Sequence, residues 1–142
     1  MTKEELVKTL KEYSKHGTLE IPCDDDYGGK EVKETIFKTL GLDGKIIERI
    51  LFDYDYYYRD MQPEAAVECK KKIINIFNKV DELKDIEFSI TDCVDDGLEE
   101  MLDAANDYSY ALHEGLKNGD YDSEEEWKED LEWFLENASW LK

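Results

Sequence analysis

Acidic residues recur at spacings that suit a bound cation. Four oxygen-bearing side chains fall at positions 1, 3, 5 and 12 of a calcium-loop pattern: Asn118, Asp120, Asp122 and Glu129. Such loops need glycine at position 6 for a sharp turn, but Ser123 stands there, so we interpret the segment as an Asp-rich turn before a capped helix. The three aspartates at 24–26 could also hold a divalent ion in a flexible loop. We expect no metal to be essential, and ion binding by either loop stays open.

Nucleophiles and general acids are not placed for catalysis. His113 and Glu114 lack the second histidine, one helical turn later, that a zinc-protease helix needs. The sequence contains no glycine-rich phosphate loop, no Gly-x-Ser-x-Gly motif and no cysteine–histidine pair spaced for nucleophilic work. We therefore predict a protein that is not an enzyme, with no catalytic residue and no cofactor.

The overall charge limits the class of partner. The 142 residues include 37 Asp and Glu against 18 Lys and Arg, which gives a formal net charge of −19. A surface of this sign repels phosphate, which argues against direct binding of nucleic acid and against docking on an anionic membrane. The favoured partner is a basic protein. The aromatic content, with 9 Tyr, 5 Phe and 3 Trp, indicates a folded domain beneath the charge.

The cysteines indicate a reducing compartment. Cys23, Cys69 and Cys93 are odd in number and far apart, which does not suit a disulfide framework. The first residues are polar, unlike a signal peptide, and no apolar run approaches the roughly 20 residues that span a bilayer. We expect a cytoplasmic protein, located in the host cytoplasm if a phage encodes it.

Helices must position most of these residues. Periodic apolar positions predict a first helix from the capping box of Thr2 and Glu5, a second that ends at Gly41, a third from Asp43 and a fourth from Pro63. The apolar face of the third helix includes Ile46 and that of the fourth includes Val67. Short strands are expected at 18–21 and 86–90 and could pair. The predicted fold class is mainly α (α+β), with about five to six helices and at most a small two- or three-stranded sheet.

The C-terminal part, about residues 95–141, predicts a helical hairpin within a single domain spanning 1–142. The apolar stripe of its first helix comprises Leu98, Met101, Leu102, Ala105, Ser109, Leu112 and Leu116. Ser123 and Glu126 form a second capping box, which opens the next helix. Its apolar stripe comprises Trp127, Leu131, Phe134, Leu135, Ala138 and Leu141. We expect this hairpin to form part of a single core.

Acidity is concentrated in the same hairpin. Residues 72–142 hold 21 acidic and 6 basic side chains, against 16 and 12 in residues 1–71. A helical wheel places carboxylates opposite the apolar stripe of each hairpin helix. These two acidic stripes are Asp96, Glu100, Asp103 and Asp107 on the first helix, with Glu114 two turns further, and Glu125, Glu129, Glu132 and Glu136 on the second. Neither stripe contains a lysine.

Folding alone does not account for the acidic stripes. Their six like-charge spacings at i,i+3 and i,i+4 store on the order of 1–3 kcal/mol of repulsion. The first helix, by contrast, mixes Lys8 and Lys11 with Glu4 and Glu12 on its outer face. Simple solvation of a charged face remains the alternative. The functional interpretation is a polyanion mimic, because carboxylates about 5–6 Å apart on a helix can stand in for successive phosphates.

Aromatic residues lie beside several of these charges. The wheel places Trp133 and Trp140 next to the acidic stripe of the last helix, where indoles would suit a basic and partly apolar partner. Phe52 and the tyrosines of 54–58 either pack in the core and its rim or anchor an interface. The sequence leaves both alternatives for this cluster open.

The pattern resembles small acidic phage proteins that disable host nucleases, namely anti-CRISPR proteins and anti-restriction DNA mimics. Lys117-Asn118-Gly119 followed by Tyr121-Asp122-Ser123-Glu124-Glu125-Glu126-Trp127 is similar to the acidic loop and helix of a Cas9-blocking anti-CRISPR. The resemblance implies stoichiometric occlusion of a DNA-reading site rather than catalysis.

Together these features predict a non-enzymatic inhibitor that occludes the basic DNA- or RNA-binding site of a nuclease. The alternative is an immunity protein or antitoxin that neutralises a basic cognate toxin through the same face. The predicted partner-binding residues are Asp96, Glu100, Asp103, Asp107, Asp120, Asp122, Glu125, Glu129, Glu132, Trp133, Glu136 and Trp140.

Overall fold

Helices dominate the structure, a computed structural model that describes residues 1–141. The helices are α1 (Lys3–Ser14), α2 (Gly29–Leu40), α3 (Gly44–Arg59), α4 (Pro63–Asn78), α5 (Asp96–Tyr110) and α6 (Glu124–Asn137). Two strands, β1 (Leu19–Pro22) and β2 (Phe88–Thr91), form the sheet. Shorter helical turns cover Asp81–Leu83, Ala111–Gly115 and Ser139–Leu141. The predicted fold class, mainly α with a small sheet, is confirmed.

The two strands pair in parallel. Leu19 lies opposite Phe88 and Pro22 lies opposite Thr91. The backbone N–H of Cys23 continues the ladder by donating to the carbonyl of Thr91 at 2.7 Å. Each strand is an edge strand, so the N–H that Pro22 lacks leaves no gap in the ladder. The predicted pairing of the two segments is confirmed, and their parallel direction brings both carboxyl ends to one edge.

Local signals set most of the helix ends. The Thr2 hydroxyl accepts from the Glu5 N–H at 3.2 Å, and the Glu5 carboxylate accepts from the Thr2 N–H at 3.0 Å. This completes the predicted capping box. The second box is only half formed, because the Glu126 carboxylate accepts from the N–H of Asp122 rather than from that of Ser123. Gly41 ends α2 with a φ of +70°, a conformation that favours glycine.

The hydrophobic core lies between α1, α2, α3, α4, α5 and the sheet. Phe77 is fully buried at its centre, with its ring stacked on Phe88 at 4.6 Å between centroids. α5 contributes Leu98 and Leu102 to this core, whereas α6 contributes no fully buried residue. Within α6 the apolar stripe is only half-buried, although Ala138, just beyond the helix, is buried. The prediction that the hairpin belongs to a single core therefore holds for α5 and not for α6.

A π turn interrupts the first helix of the hairpin. α5 ends at Tyr110 and is followed by the turn Ala111–Gly115, whose wider winding rotates less per residue than an α-helix. Leu116 therefore leaves the predicted apolar stripe and lies exposed. Gly115 is buried beneath the ring of Tyr121, where an added Cβ would lie 2.7 Å from a ring carbon. The packing of Tyr121 thus requires glycine at this turn.

Candidate functional site

Both acidic stripes lie on the surface. All eight of their carboxylates on α5 and α6 are exposed, as the helical wheel predicts. The opposite face of α5 carries Leu98, Leu102 and Ala105, which are buried. That of α6 is held by Trp127, whose indole N–H donates to the carbonyl of Ala111 at 2.7 Å. Burial of one side of each helix therefore directs the carboxylates of the other side into solvent.

The acidic stripes have no internal counter-ions in the part of the chain that the structure describes. Within 92–136, the ion pair present there joins Lys128 to Glu124 at 3.3 Å, and neither residue belongs to a stripe. Elsewhere in the protein, cations and carboxylates do pair, as Lys15 does with Glu12 at 2.8 Å and Lys84 with Asp81 at 2.7 Å. The charge of the stripes is consequently available to an external cation.

The loop between the π turn and α6 is held by tyrosines. The Tyr110 hydroxyl donates to Asp120 at 2.5 Å, and the Tyr121 hydroxyl donates to Asp130. This second hydrogen bond, with the negative charges around it, raises the pKa of Tyr121 to about 12. Asp120 and Asp122, which the sequence predicts to bind the partner, are both exposed, but Asp120 already accepts a hydrogen bond from Tyr110. Among the described residues, the loop does not bring three ligand atoms together on one point.

The two predicted indoles occupy different positions. Trp133 is 57% exposed and lies between acidic positions of α6, with its ring edge-to-face against Phe134 at 5.5 Å. Trp140 is half-buried and does not follow the wheel of α6, because that helix ends at Asn137. Its turn, Ser139–Leu141, packs against α1 instead. Of the two, Trp133 is the one on the acidic face.

A second cluster, which the sequence did not predict, forms at the carboxyl ends of the strands. The Cys23 sulfur lies 3.4 Å from an Asp92 oxygen and 4.0 Å from an Asp55 oxygen. Arg59 donates to that same Asp55 oxygen at 3.0 Å. Cys23 and Asp92 each follow a strand by one residue, so parallel pairing brings them together. The predicted pairing of the two strands could have indicated this cluster, because ligand sites favour the carboxyl ends of parallel strands.

This cluster offers a sulfur and two carboxylates to a cation. Its three ligand atoms lie within 4.8 Å of one another. Burial, the hydrogen bond to Asp92 and the charge of Asp55 raise the pKa of the Cys23 thiol to about 12. The thiol is therefore neutral near pH 7, which makes it a poor nucleophile and requires it to lose a proton before it binds a metal.

A buried lysine organises the neighbouring acidic loop. Lys33 of α2 is 1% exposed, and its ammonium contacts Asp25 at 2.6 Å and Glu48 at 3.2 Å. The contacts tie the loop after β1 to α3. Asp25 of the 24–26 run is thereby paired with an internal cation rather than left free to bind a divalent ion.

The aromatic cluster of α3 lies partly against the core and partly on the surface. Tyr54 and Tyr57 are half-buried, and the Tyr54 ring stacks on Tyr58 at 6.0 Å. Tyr56 and Tyr58 are exposed, as is Phe52. Two predicted core residues are also exposed, Ile46 and Val67, because neither side chain packs against the hydrophobic core. The α3–α4 hairpin therefore carries apolar surface that the core does not use.

Comparisons with family models, with curated proteins and with solved structures gave no match for this chain. None of the helices described in residues 1–141 is long and apolar enough to cross a membrane.

Proposed function

We propose that this protein is a non-enzymatic inhibitor whose acidic stripes occupy the basic nucleic-acid-binding site of a nuclease. One observation carries the proposal. Eight exposed carboxylates line two adjacent helices without an ion pair among the described residues, at a cost in stability that folding does not repay. A basic partner would offset that repulsion.

The dimensions of the acidic stripes suit phosphate mimicry. From Asp96 to Asp107, and again from Glu125 to Glu136, the helix rises about 16 Å. One DNA strand carries a phosphate for about every 3.4 Å of helix axis, so about five phosphates span the same length. Four carboxylates per stripe approach that charge density, and a groove lined with lysine and arginine would accept them.

An apolar contact accompanies the charge. Trp133 is exposed between Glu129, Glu132 and Glu136, and a large exposed aromatic ring is a typical anchor of a protein interface. The phosphates that the acidic stripes would imitate cannot make such an apolar contact. This arrangement supports a protein partner that is recognised by charge and fixed by one indole.

The test combines charge reversal with a nuclease assay. We expect the wild-type protein to block DNA cleavage by a susceptible member of a panel of purified nucleases with basic DNA channels, including a Cas9 and a type I restriction enzyme. The variant in which Glu125, Glu129, Glu132 and Glu136 are all lysine should lose that inhibition while circular dichroism shows a folded chain. Reversal of Lys8 and Lys11 on α1 is the matched control and should leave inhibition unchanged.

Salt and DNA separate this function from that of an immunity protein. A DNA mimic competes with DNA for its partner and loses affinity steeply as salt rises. An immunity protein that binds away from the catalytic centre leaves DNA binding by its toxin intact. Inhibition that DNA does not relieve, or that the four-lysine variant retains, would contradict the proposal.

A further inference from the structure

α3 exposes two aromatic rings that neither the core nor the acidic stripes use. Phe52 is 62% exposed and Tyr56 is 56% exposed, one helical turn apart on the same face. Large apolar side chains at such exposure are normal one at a time. Here the two rings adjoin a concave surface lined by carboxylates.

Two depressions meet at these rings. The first, of about 240 Å³, is lined by Cys23, Asp24, Asp25, Glu48, Phe52 and Asp55. The second, of about 280 Å³, is lined by Phe52, Asp55, Tyr56, Arg59 and Asp60. The two depressions share Phe52 and Asp55 as lining residues, and we call them together the aromatic-acid cleft.

The cleft is negative despite its internal cations. Five carboxylates line it, and the cations that contact them are Arg59, on Asp55, and the buried Lys33, on Asp25 and Glu48. Asp92 adds a further carboxylate next to Cys23. Among the residues that line the cleft, carboxylates therefore outnumber cations, which favours an incoming cation.

The protein's own arginines show which cation fits these walls. The Arg49 guanidinium carbon lies 5.6 Å from the centroid of the Phe52 ring, and Arg59 forms its ion pair with Asp55 across the shared wall. Both arginine side chains are largely exposed. Exposed ion pairs of this kind contribute little to stability, so a second guanidinium can displace them.

We propose that the aromatic-acid cleft binds an arginine side chain of a basic protein segment. A planar guanidinium can stack on Phe52 or Tyr56 while it donates two hydrogen bonds to a carboxylate, whereas a lysine ammonium offers a point charge without a stacking face. The inference stands on α3 and the loop after β1, residues that the acidic stripes do not include. It holds or fails independently of the nuclease proposal.

The test measures peptide affinity by fluorescence anisotropy at low salt. The probe is a labelled twelve-residue peptide of alternating arginine and glycine, with the lysine–glycine peptide as its chemical control. The four-lysine variant of α6 is used as the background, because it weakens non-specific attraction to the acidic stripes. We expect the arginine peptide to bind more tightly than the lysine peptide.

Replacing both rings, Phe52→Ala with Tyr56→Ala, should weaken arginine-peptide binding at least about tenfold, because the double variant leaves the guanidinium neither stacking face. Ile46→Ala is the matched control, because Ile46 is an equally exposed apolar residue elsewhere on α3. Ring-current shifts of the peptide's arginine protons give a second readout that does not depend on the variants.

Two results would overturn the inference. One is equal affinity of the arginine peptide for the double variant and its parent, with no ring-current shift. The other is tight binding of zinc at Cys23, Asp55 and Asp92 by a chain that does not bind the peptide, which would identify the cleft as a metal site instead.

Discussion

Alternating the charge of the acidic stripe on α6 should stabilise the helix that the stripe now destabilises. The stripe contains three like-charge spacings, 125/129, 129/132 and 132/136. Changing Glu129 and Glu136 to lysine converts all three into opposite-charge pairs, whereas reversing all four positions would only replace one repulsion by another. All these positions are exposed, so no packing is lost.

The size of the effect follows from the pair energies. Each spacing changes from about 0.2–0.5 kcal/mol unfavourable to a similar amount favourable, which gives roughly 1–3 kcal/mol for the three. A lysine at 136 also lies in the last turn of α6, where a cation interacts favourably with the helix dipole. In a domain of this size, the gain corresponds to a rise in Tm of roughly 3–10 °C.

Urea and thermal unfolding at low and high salt would measure this gain. Amide hydrogen exchange in α6 should accompany them, because a helix without fully buried residues can open before the rest of the domain. The glutamine variants Glu129→Gln and Glu136→Gln should give about half the gain. The same lysine variant should bind a basic partner less well, so stability and binding should move in opposite directions.

Absence of any gain at low salt, in both global unfolding and α6 exchange, would contradict this prediction. A gain that persists undiminished at high salt would refute it as well, because exposed charge pairs are screened there. In either case, like-charge repulsion within the acidic stripe of α6 would not lower the stability of the protein.

Three further predictions concern single groups. Cys23 should react with a thiol reagent far more slowly than the exposed Cys93. A pKa of about 12 makes the Cys23 thiolate roughly a thousandfold scarcer than the thiolate of an ordinary cysteine. Asp92→Asn should lower that pKa and speed the labelling of Cys23. Lys33→Ala should lower the free energy of unfolding by about 2–4 kcal/mol in urea titrations, while Lys33→Met, which refills the space, should lose much less. Between pH 10 and 12 the unfolded chain releases the Tyr121 proton while the fold retains it, so stability should fall over that window, and Tyr121→Phe should make the fall smaller.

The sequence predicts those parts of the fold that depend on local signals. The capping box at Thr2, the glycine at 41 and the proline at 63 act within one helical turn, so their effect can be read without knowing the rest of the fold. The exposure of both acidic stripes follows in the same way. A helix with one apolar face must direct the opposite face outward.

The features that the sequence does not predict depend on long-range geometry. Cys23 and Asp92 are 69 positions apart and meet only because the strands run parallel, a direction that apolar alternation does not encode. Lys33 looks like any surface lysine until α3 and the loop after β1 close over it. The π turn at 111–115 and the end of α6 before Trp140 each interrupt a helical period that the wheel assumes to be continuous.

The parallel sheet also sets an order for folding. Pairing Leu19 with Phe88 closes a loop of 69 residues, and the length-dependent part of the closure entropy alone costs about 3.7 kcal/mol. The α3–α4 hairpin, whose contacts are close in sequence, faces a much smaller cost and can form first. Substitutions in β2 should then speed unfolding more than they slow folding. We therefore expect the cluster of Cys23, Asp55 and Asp92 to assemble late in folding, once the sheet has joined the two halves of the chain.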